Sequence, residues 1–406
     1  MKKKQTSKLG LYIHIPFCKS KCHYCDFYSL PGSEEHMDRY TATLMQHLQE
    51  LAPHAAANSV DTVYFGGGTP SYLGVKRLKA LLWCIKKYYH VEKSAEITLE
   101  ANPESLGDVR MVRALRRAGF NRISLGVQSA DNKELYMVGR IHTFDHVRKS
   151  VEAIRKGKIQ NLSLDLIYGL PAQTMESWKK TLETVVALAP EHLSCYGLKI
   201  EEGTPLYTMQ DSMILADDDL QADMYLFAAE YLTQQGFEHY EISNFAKSGQ
   251  FSRHNMKYWL LDEYMGFGPG AHSDVGGVRY SYVRNLAAYC ACVESKDGDL
   301  VDHQERIAPR DRDTEYLMLG LRTARGIDKQ TFESRFRLPF SPIEAVMEKF
   351  AASGHAVKEN DRWHLTAEGF LLSNTIILEA LDALGQEKVR REQAVAQKDF
   401  RIKTAE

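Results

Sequence analysis

The 406-residue sequence has little that would assign it to a specialised class of protein. It has no apolar run near the roughly 18 residues of a membrane span. Its start, MKKKQTSKLGLYIHIPFC, has basic residues but lacks the apolar core and cleavage site of a secretory signal. The net charge of -2 gives no general reason to expect a nucleic-acid partner. We therefore expect a cytoplasmic globular protein with no transmembrane segment.

Cysteine is also scarce, with seven residues in the chain, an odd number. Because cytoplasmic thiols stay reduced, this number argues for metal binding rather than disulfides. Cys18, Cys22 and Cys25 cluster in FCKSKCHYC, one ligand short of a closed metal site. The other cysteines are expected to be small buried hydrophobes without a chemical role: Cys84, Cys195, Cys290 and Cys292.

Residues 11–200 alternate short β-branched or aromatic runs with amphipathic segments, which predicts a parallel sheet of βα units. The expected strands are 11–15, 62–65, 96–100, 122–127, 162–167 and 192–198. Polar or glycine-rich residues follow each of them. This pattern favours a TIM-like barrel, whose site is built at every strand end, over a doubly wound sheet with one switch point. The α/β fold class is therefore a partial (β/α)6 barrel.

Four parts are predicted along the chain. Residues 1–215 form the barrel, 216–307 an irregular connecting region, 308–385 a winged-helix-like α+β domain, and 386–406 a charged tail. The winged-helix order is helix, helix, helix, hairpin, helix. Its expected recognition helix, SPIEAVMEKFAAS, carries two Glu and one Lys. The resulting negative charge is unsuited to the phosphate backbone of a nucleic acid. We therefore expect no nucleic-acid partner and a role in packing or docking.

Two metals could occupy the cysteine cluster. Zinc would take a fourth protein ligand, such as His14 or His23. A [4Fe–4S] cluster uses one cysteine per iron, so three cysteines leave one iron open. The cluster is favoured because the cysteines lie in the first βα loop, at the active face of the predicted barrel.

Five ordered motifs resemble those of the radical S-adenosylmethionine superfamily: YIHIPFCKSKCHYCDF, YFGGGTPSYL, EANPE, GFNRISLGVQS and LDLIYGLP. More narrowly, the chain is similar to the group containing oxygen-independent coproporphyrinogen III oxidase and its heme-chaperone relatives. The resemblance implies that the amine and carboxylate of S-adenosylmethionine chelate the open iron. In that superfamily an electron from the cluster then cleaves the sulfonium.

The resemblance also implies a set of contacts to S-adenosylmethionine. Glycines without Cβ atoms let the backbone approach the methionyl group, Glu100 can accept hydrogen bonds from the ribose diol, and Arg140 suits a carboxylate. Taken alone, a glycine run is more typical of a tight turn, and a strand-end Glu is usually solvated. The matching positions are Tyr12, Tyr24, Gly67, Gly68, Thr69, Glu100, Gln128, Arg140 and Asp165.

Two departures distinguish the chain from the oxidase it resembles. The oxidase continues its cysteine motif with a further Cys, where this chain has Phe27. The oxidase also has a long arm before its first strand, whereas the first predicted strand here begins at residue 11. Both differences favour the heme-chaperone branch.

The segment HNMKYW, residues 254–259, is the predicted heme contact. His254 could ligate heme iron, while Trp259 could stack on the porphyrin. The alternative is a buried polar corner with aromatic core residues. The HNxxYW pattern is shared with the heme-chaperone branch, so the resemblance supports proximity to heme.

The combined prediction is a heme chaperone that binds heme, a [4Fe–4S] cluster and S-adenosylmethionine. It would transfer heme to an unidentified acceptor, such as a membrane-bound cytochrome or respiratory enzyme. The alternative is an enzyme that decarboxylates coproporphyrinogen III. The sequence leaves open whether the chain is a monomer or a dimer and whether S-adenosylmethionine is cleaved.

Overall fold

The computed structural model describes residues 7–403, with side chains described up to residue 396. This part of the chain forms two compact units. The first comprises the chain up to Glu238, Ser243–Lys257 and Asp262–Arg306, and the second comprises His239–Ile242, Tyr258–Leu261 and the chain from Ile307 onward. The four-part division of the sequence stays a prediction.

Six parallel strands, each hydrogen-bonded to the next in chain order, form the core of the first unit. They confirm the six predicted strands and the α/β class. The strands are β1 (Ser7–Ile15), β2 (Asn58–Gly67), β3 (Val91–Ala101), β4 (Arg122–Gln128), β5 (Asn161–Tyr168) and β6 (His192–Gly197). The helices between and after them are α1 (Glu34–Leu51), α2 (Val75–Tyr88), α3 (Val109–Ala118), α4 (Asn132–Met137), α5 (Phe144–Lys156) and α6 (Met175–Val186).

The alternation of side chains along each strand separates the hydrophobic core from the polar interior of the barrel. In β5, Leu162, Leu164 and Leu166 are fully buried, while Ser163 and Asp165 point to the opposite face and meet polar side chains of neighbouring strands. This follows from the two-residue period of a strand. The polar face therefore carries the residues available for chemistry.

The segment 216–307, predicted to be irregular, contains regular elements. Strand β8 (Asn244–Ala246) extends the sheet antiparallel to β6, and β9 (Tyr264–Phe267) pairs parallel with β1. Three further strands continue beyond β9: β10 (His272–Val275), β11 (Val278–Tyr282) and β12 (Val301–Arg306). These strands are too short for sequence periodicity to detect. From residue 205 the elements are α7 (Pro205–Met209), α8 (Asp218–Gln234), β7 (Glu238–Glu241), β8 (Asn244–Ala246), α9 (Arg253–Leu260), β9 (Tyr264–Phe267), β10 (His272–Val275), β11 (Val278–Tyr282), α10 (Leu286–Ser295) and β12 (Val301–Arg306).

The second unit confirms the winged-helix-like order of elements. A three-stranded antiparallel sheet in the order β13, β15, β14 accompanies the helices. The elements are α11 (Asp313–Gly320), β13 (Ile327–Asp328), α12 (Lys329–Phe336), α13 (Ser341–Ala352), β14 (Ala356–Glu359), β15 (Arg362–Leu365), α14 (Ala367–Leu371) and α15 (Ser373–Lys403).

Two details of this unit bear on the sequence predictions. In α13, Glu344 accepts hydrogen bonds from Lys329 and Lys358, both at 2.7 Å. Its negative charge is therefore paired within the second unit. The predicted charged tail, residues 386–406, is helical as far as Lys403, because α15 continues through it; this stretch is rich in good helix formers. Residues 404–406 lie outside the described part. None of the described helices is long and apolar enough to cross a bilayer.

The fold predicts that two tryptophans contribute very differently to the free energy of unfolding. Trp178 of α6 is fully buried and donates a hydrogen bond to the backbone oxygen of Met224 at 2.9 Å, whereas Trp83 of α2 is 57% exposed. Trp178→Ala should lower the free energy of unfolding of the first unit by about 3–5 kcal/mol, because it leaves a cavity and removes the hydrogen bond to Met224. Trp83→Ala, the control, should change it by less than about 0.5 kcal/mol. Denaturant melts followed by circular dichroism measure both; equal losses would contradict the packing described.

Candidate functional site

A cavity of about 400 Å³ lies at the carboxyl ends of the six barrel strands, and residues at or just after each strand line it. This is where a barrel of this kind places its site. It brings together most of the predicted site residues. Those that line it are Cys18, Cys22, Tyr24, Cys25, Gly67, Gly68, Thr69, Glu100, Gln128, Arg140 and Asp165.

The three cavity cysteines lie in the loop between β1 and α1, and burial raises the pKa of the Cys22 and Cys25 thiols. Among the described residues, no three His, Cys, Asp or Glu side chains surround a single ion position. A cluster does not require that geometry, because each sulfur binds a different iron.

The two histidines considered as a fourth zinc ligand are engaged elsewhere. His14 Nδ1 is 3.1 Å from the Tyr12 hydroxyl, and its Nε2 is 3.1 Å from the Tyr28 carbonyl oxygen. His23 Nδ1 is 3.2 Å from the Met137 carbonyl oxygen, a bond that does not involve its Nε2. Zinc needs its ligands to converge on one ion position, and the thiols and histidines of the described residues do not, so the three thiols are better suited to a cluster. Of the other cysteines, Cys84, Cys195 and Cys290 are buried as predicted, and Cys292 is half-buried.

A chain of hydrogen bonds begins and ends in the cysteine loop. Cys18 Sγ lies 3.4 Å from Thr69 Oγ1, which accepts a bond from Asn102 Nδ2 at 3.0 Å. Arg140 donates to Asn102 Oδ1 at 2.9 Å and to the Tyr24 hydroxyl at 2.8 Å. Sequence reasoning missed Asn102, although it stands in the EANPE motif two residues after Glu100. These hydrogen bonds fix the cysteine loop to the ends of β2 and β3.

The glycine run after β2 forms a close backbone approach. Gly67 has a φ of +111°, which L side chains rarely adopt, and its N–H donates to Glu100 Oε2 at 3.2 Å. A Cβ at Gly68 would stand 2.8 Å from the Phe17 carbonyl oxygen. A side chain at Gly68 would displace the start of the cysteine loop, and one at Gly67 would collide with the His14 ring at 2.6 Å.

Two carboxylates of the barrel interior are held in different ways. Glu100 Oε1 accepts a hydrogen bond from the Tyr64 hydroxyl at 2.7 Å, and burial raises its pKa to about 7. Asp165 accepts bonds from three serine hydroxyls at 2.7–3.1 Å. These serines also escaped the sequence analysis, although their inward positions follow from strand alternation: Ser124, Ser163 and Ser194.

Gln128 adopts an unusual backbone conformation at the end of β4. Its φ is +67°, and the pairing of β4 with β5 shifts register between Gly126 and Gln128. A non-glycine residue in this region is strained, and such strain concentrates at functional sites. The bulge directs a buried amide side chain toward the cavity.

Tyr12, His254 and Trp259 do not line the cavity. Tyr12 stacks on Tyr64, with ring centroids 6.3 Å apart. His254 is 1% exposed, and burial lowers its pKa to about 3. Its Nδ1 lies 2.8 Å from Thr62 Oγ1, and its ring stacks on Tyr64 at 5.2 Å. Trp259 is half-buried in the second unit. Heme contact by His254 and Trp259 stays a prediction.

The cavity residues fit a zwitterionic nucleoside such as S-adenosylmethionine. Arg140 Nε is buried and has no hydrogen-bond partner among the described residues, so the guanidinium retains donor capacity for a carboxylate. Glu100 and Asp165 supply acceptors for hydroxyl groups. Gly67 and Gly68 line the cavity, and their lack of side chains lets the backbone of the first strand and the cysteine loop pack against them. The carboxylate and the hydroxyl groups of such a ligand therefore have counterparts on this surface.

Comparison with known proteins identifies the family. The radical SAM superfamily model matches residues 12–185, and the HemN C-terminal domain model matches residues 307–372. A Lactococcus lactis protein named heme chaperone HemW is 34% identical over 90% of this chain and 95% of its own length. This chain belongs to the HemW family. The Bacillus subtilis HemW is 33% identical over 90% of this chain and 97% of its own length.

Among solved structures, the coproporphyrinogen III oxidase of Escherichia coli, a radical SAM enzyme, matches this HemW-family chain with a TM-score of 0.81. The match covers 93% of this chain and 91% of the oxidase at 23% identity, which establishes a shared fold. Membership of the radical SAM superfamily implies a [4Fe–4S] cluster and S-adenosylmethionine as cofactors.

The cysteine assignment predicts a selective effect on iron. Replacing Cys18, Cys22 or Cys25 by Ser should abolish the [4Fe–4S] cluster, because each would be the sole protein ligand of one iron. Replacing Cys84 or Cys195 should leave it intact. Iron content and the absorbance of anaerobically reconstituted protein measure this. Wild-type iron in the triple variant, or zinc in place of iron, would refute the assignment.

The raised pKa of Glu100 predicts a pH dependence of ligand binding. The ionised carboxylate is the better acceptor for ribose hydroxyls, so affinity for S-adenosylmethionine should rise as pH increases through about 7. If only the ionised form binds, the affinity at pH 8 exceeds that at pH 6 by about tenfold. Glu100→Gln should bind more weakly, by about 1.5–3 kcal/mol, and lose this dependence.

Titration calorimetry of the reconstituted protein at both pH values measures this effect. Glu35→Gln, an exposed change at the start of α1, is the matched control and should behave as wild type. Equal affinities and equal pH profiles for wild type and Glu100→Gln would remove Glu100 from the binding site.

Proposed function

We propose that this protein is a cytoplasmic heme chaperone that binds heme, a [4Fe–4S] cluster and S-adenosylmethionine and passes heme to an acceptor protein. A membrane-bound cytochrome or a respiratory enzyme is the proposed class of acceptor. The names of the HemW relatives support the heme-chaperone role.

The observation that carries the proposal against the enzymatic alternative is Phe27. In the oxidase pattern a further cysteine occupies this place in the cysteine loop. Here the position holds a phenylalanine that is 65% exposed and lines the cavity. The loop therefore presents an apolar ring where the oxidase has a thiol, which suits a flat apolar ligand.

In this proposal the cavity has a division of roles. Cys18, Cys22 and Cys25 hold the cluster, which supplies an electron when it is bound and reduced. Arg140 orients the carboxylate of S-adenosylmethionine, and Glu100 holds its ribose. Tyr12 stacks on Tyr64 and supports it from the barrel interior. The remaining proposed contacts to S-adenosylmethionine are Tyr24, Gly67, Gly68, Thr69, Gln128 and Asp165.

The second candidate is oxygen-independent decarboxylation of coproporphyrinogen III. It is supported by the shared fold and by the set of residues suited to S-adenosylmethionine, which either function can use. Fold likeness alone does not select an activity. The two candidates differ in what happens to the porphyrin: a chaperone releases heme unchanged, and the oxidase converts its substrate.

Two assays on one preparation separate the candidates. Anaerobically reconstituted protein is titrated with heme, followed by difference absorbance, and is separately incubated with coproporphyrinogen III, S-adenosylmethionine and a reductant. We expect saturable heme binding and no consumption of coproporphyrinogen. The Escherichia coli oxidase serves as the positive control for consumption. Turnover comparable to that control, or no saturable heme binding, would contradict the proposal.

A further inference from the structure

The mouth of the cavity carries two exposed aromatic rings. Phe27, in the cysteine loop, is 65% exposed, and Tyr196, at the end of β6, is 41% exposed. Both line the cavity. Exposed apolar side chains that border a cavity are candidates for contact with a ligand.

An apolar wall continues inward from these rings. Ile167 packs with Val138 and Leu170 in a buried cluster, and Tyr24 and Leu198 pack against that cluster. Ile167, Tyr24 and Leu198 also line the cavity. The cavity therefore combines this apolar wall with the polar set that includes Glu100, Asp165 and Arg140.

The size of the cavity limits what it can enclose. Its volume of about 400 Å³ is near the lower end of the roughly 300–1,000 Å³ of small-molecule pockets. With S-adenosylmethionine on the polar residues, little of that volume remains. A porphyrin bound at the same time must lie at the open mouth, against the exposed rings.

The mouth also carries cationic groups suited to the two propionates of heme. Lys21 and Lys199 are exposed and line the cavity, beside the acidic Asp26 and Glu201. Lys199 pairs with Glu201 at 2.6 Å, but both side chains are solvent-accessible, and such a pair contributes little. A propionate can therefore replace Glu201 as the partner of Lys199.

Heme transfer adds a functional constraint on where heme can lie. The His254 ring is buried beneath Tyr64 and bonded to Thr62, so an iron ligated there would be enclosed by the barrel. A heme at the mouth stays open to a partner protein. The geometry points to a heme site on the rim of the cavity, stacked on Phe27 and Tyr196 with propionates on Lys21 and Lys199. This inference rests on the proposed function.

The aromatic part of the site is tested with Phe27→Ala/Tyr196→Ala in the full-length reconstituted protein. Both side chains are exposed, so the double variant should fold, and its cluster content should match wild type. Its affinity for heme should fall at least tenfold. Tyr207→Ala, a control at a tyrosine that is 42% exposed but outside the cavity lining, should bind heme as wild type.

The propionate contacts are tested with Lys21→Gln/Lys199→Gln and two probes, heme and its dimethyl ester. The variant should weaken binding of heme several-fold and leave binding of the ester unchanged. An equal effect on both probes, or on neither, would overturn the assignment of the lysines.

His254→Phe, which keeps a ring in the stack, tests the rival location. We expect wild-type heme affinity. Wild-type affinity in the double aromatic variant, or loss of heme binding in a folded His254→Phe protein, would overturn the rim site while leaving the chaperone function standing. If wild-type protein fails to bind heme at all, the proposed function itself fails.

Discussion

The hydrogen-bond chain from Cys18 through Thr69, Asn102 and Arg140 to Tyr24 is the constraint on which the site depends. It leaves the cysteine loop at one end and returns to it at the other, crossing the ends of two strands on the way. Long loops without such fixed points sample many conformations. Here the same bonds that fix the thiols also orient the arginine proposed to bind the carboxylate of S-adenosylmethionine. In the proposed function, one network therefore positions both the cluster and the nucleoside.

The barrel interior beneath this network is polar, which is costly unless every buried group has a partner. Three serines on adjacent strands satisfy Asp165. Glu100 accepts hydrogen bonds from fewer donors, and burial raises its pKa. It is therefore the carboxylate expected to bind a ligand and to change its protonation with pH. The contrast suggests different tasks for two acids of similar chemistry. One accepts hydrogen bonds from three serine hydroxyls, and the other keeps capacity for an incoming hydroxyl.

Sequence reasoning found the parts of this protein that rest on strong local patterns. The six barrel strands repeat one βα unit, and the cysteine spacing and glycine run are local in sequence. Asn102 and Ser194 were missed because their roles depend on side chains from other strands. The bulge at Gln128 has no sequence signature, and strands such as β8, with three residues, are too short for periodicity. The burial of His254 likewise depends on the fold, because HNMKYW alone is compatible with a ligand and with a core residue.

The central claim is that three cysteines leave one iron open for S-adenosylmethionine. Electron–nuclear double resonance of the reduced, reconstituted cluster, with S-adenosylmethionine carrying ¹⁵N in the amine or ¹⁷O in the carboxylate, tests it most directly. We predict hyperfine coupling from both labels, because both groups would bind the same iron. A spectrum unchanged by either label, with the ligand shown to be bound, would contradict the account.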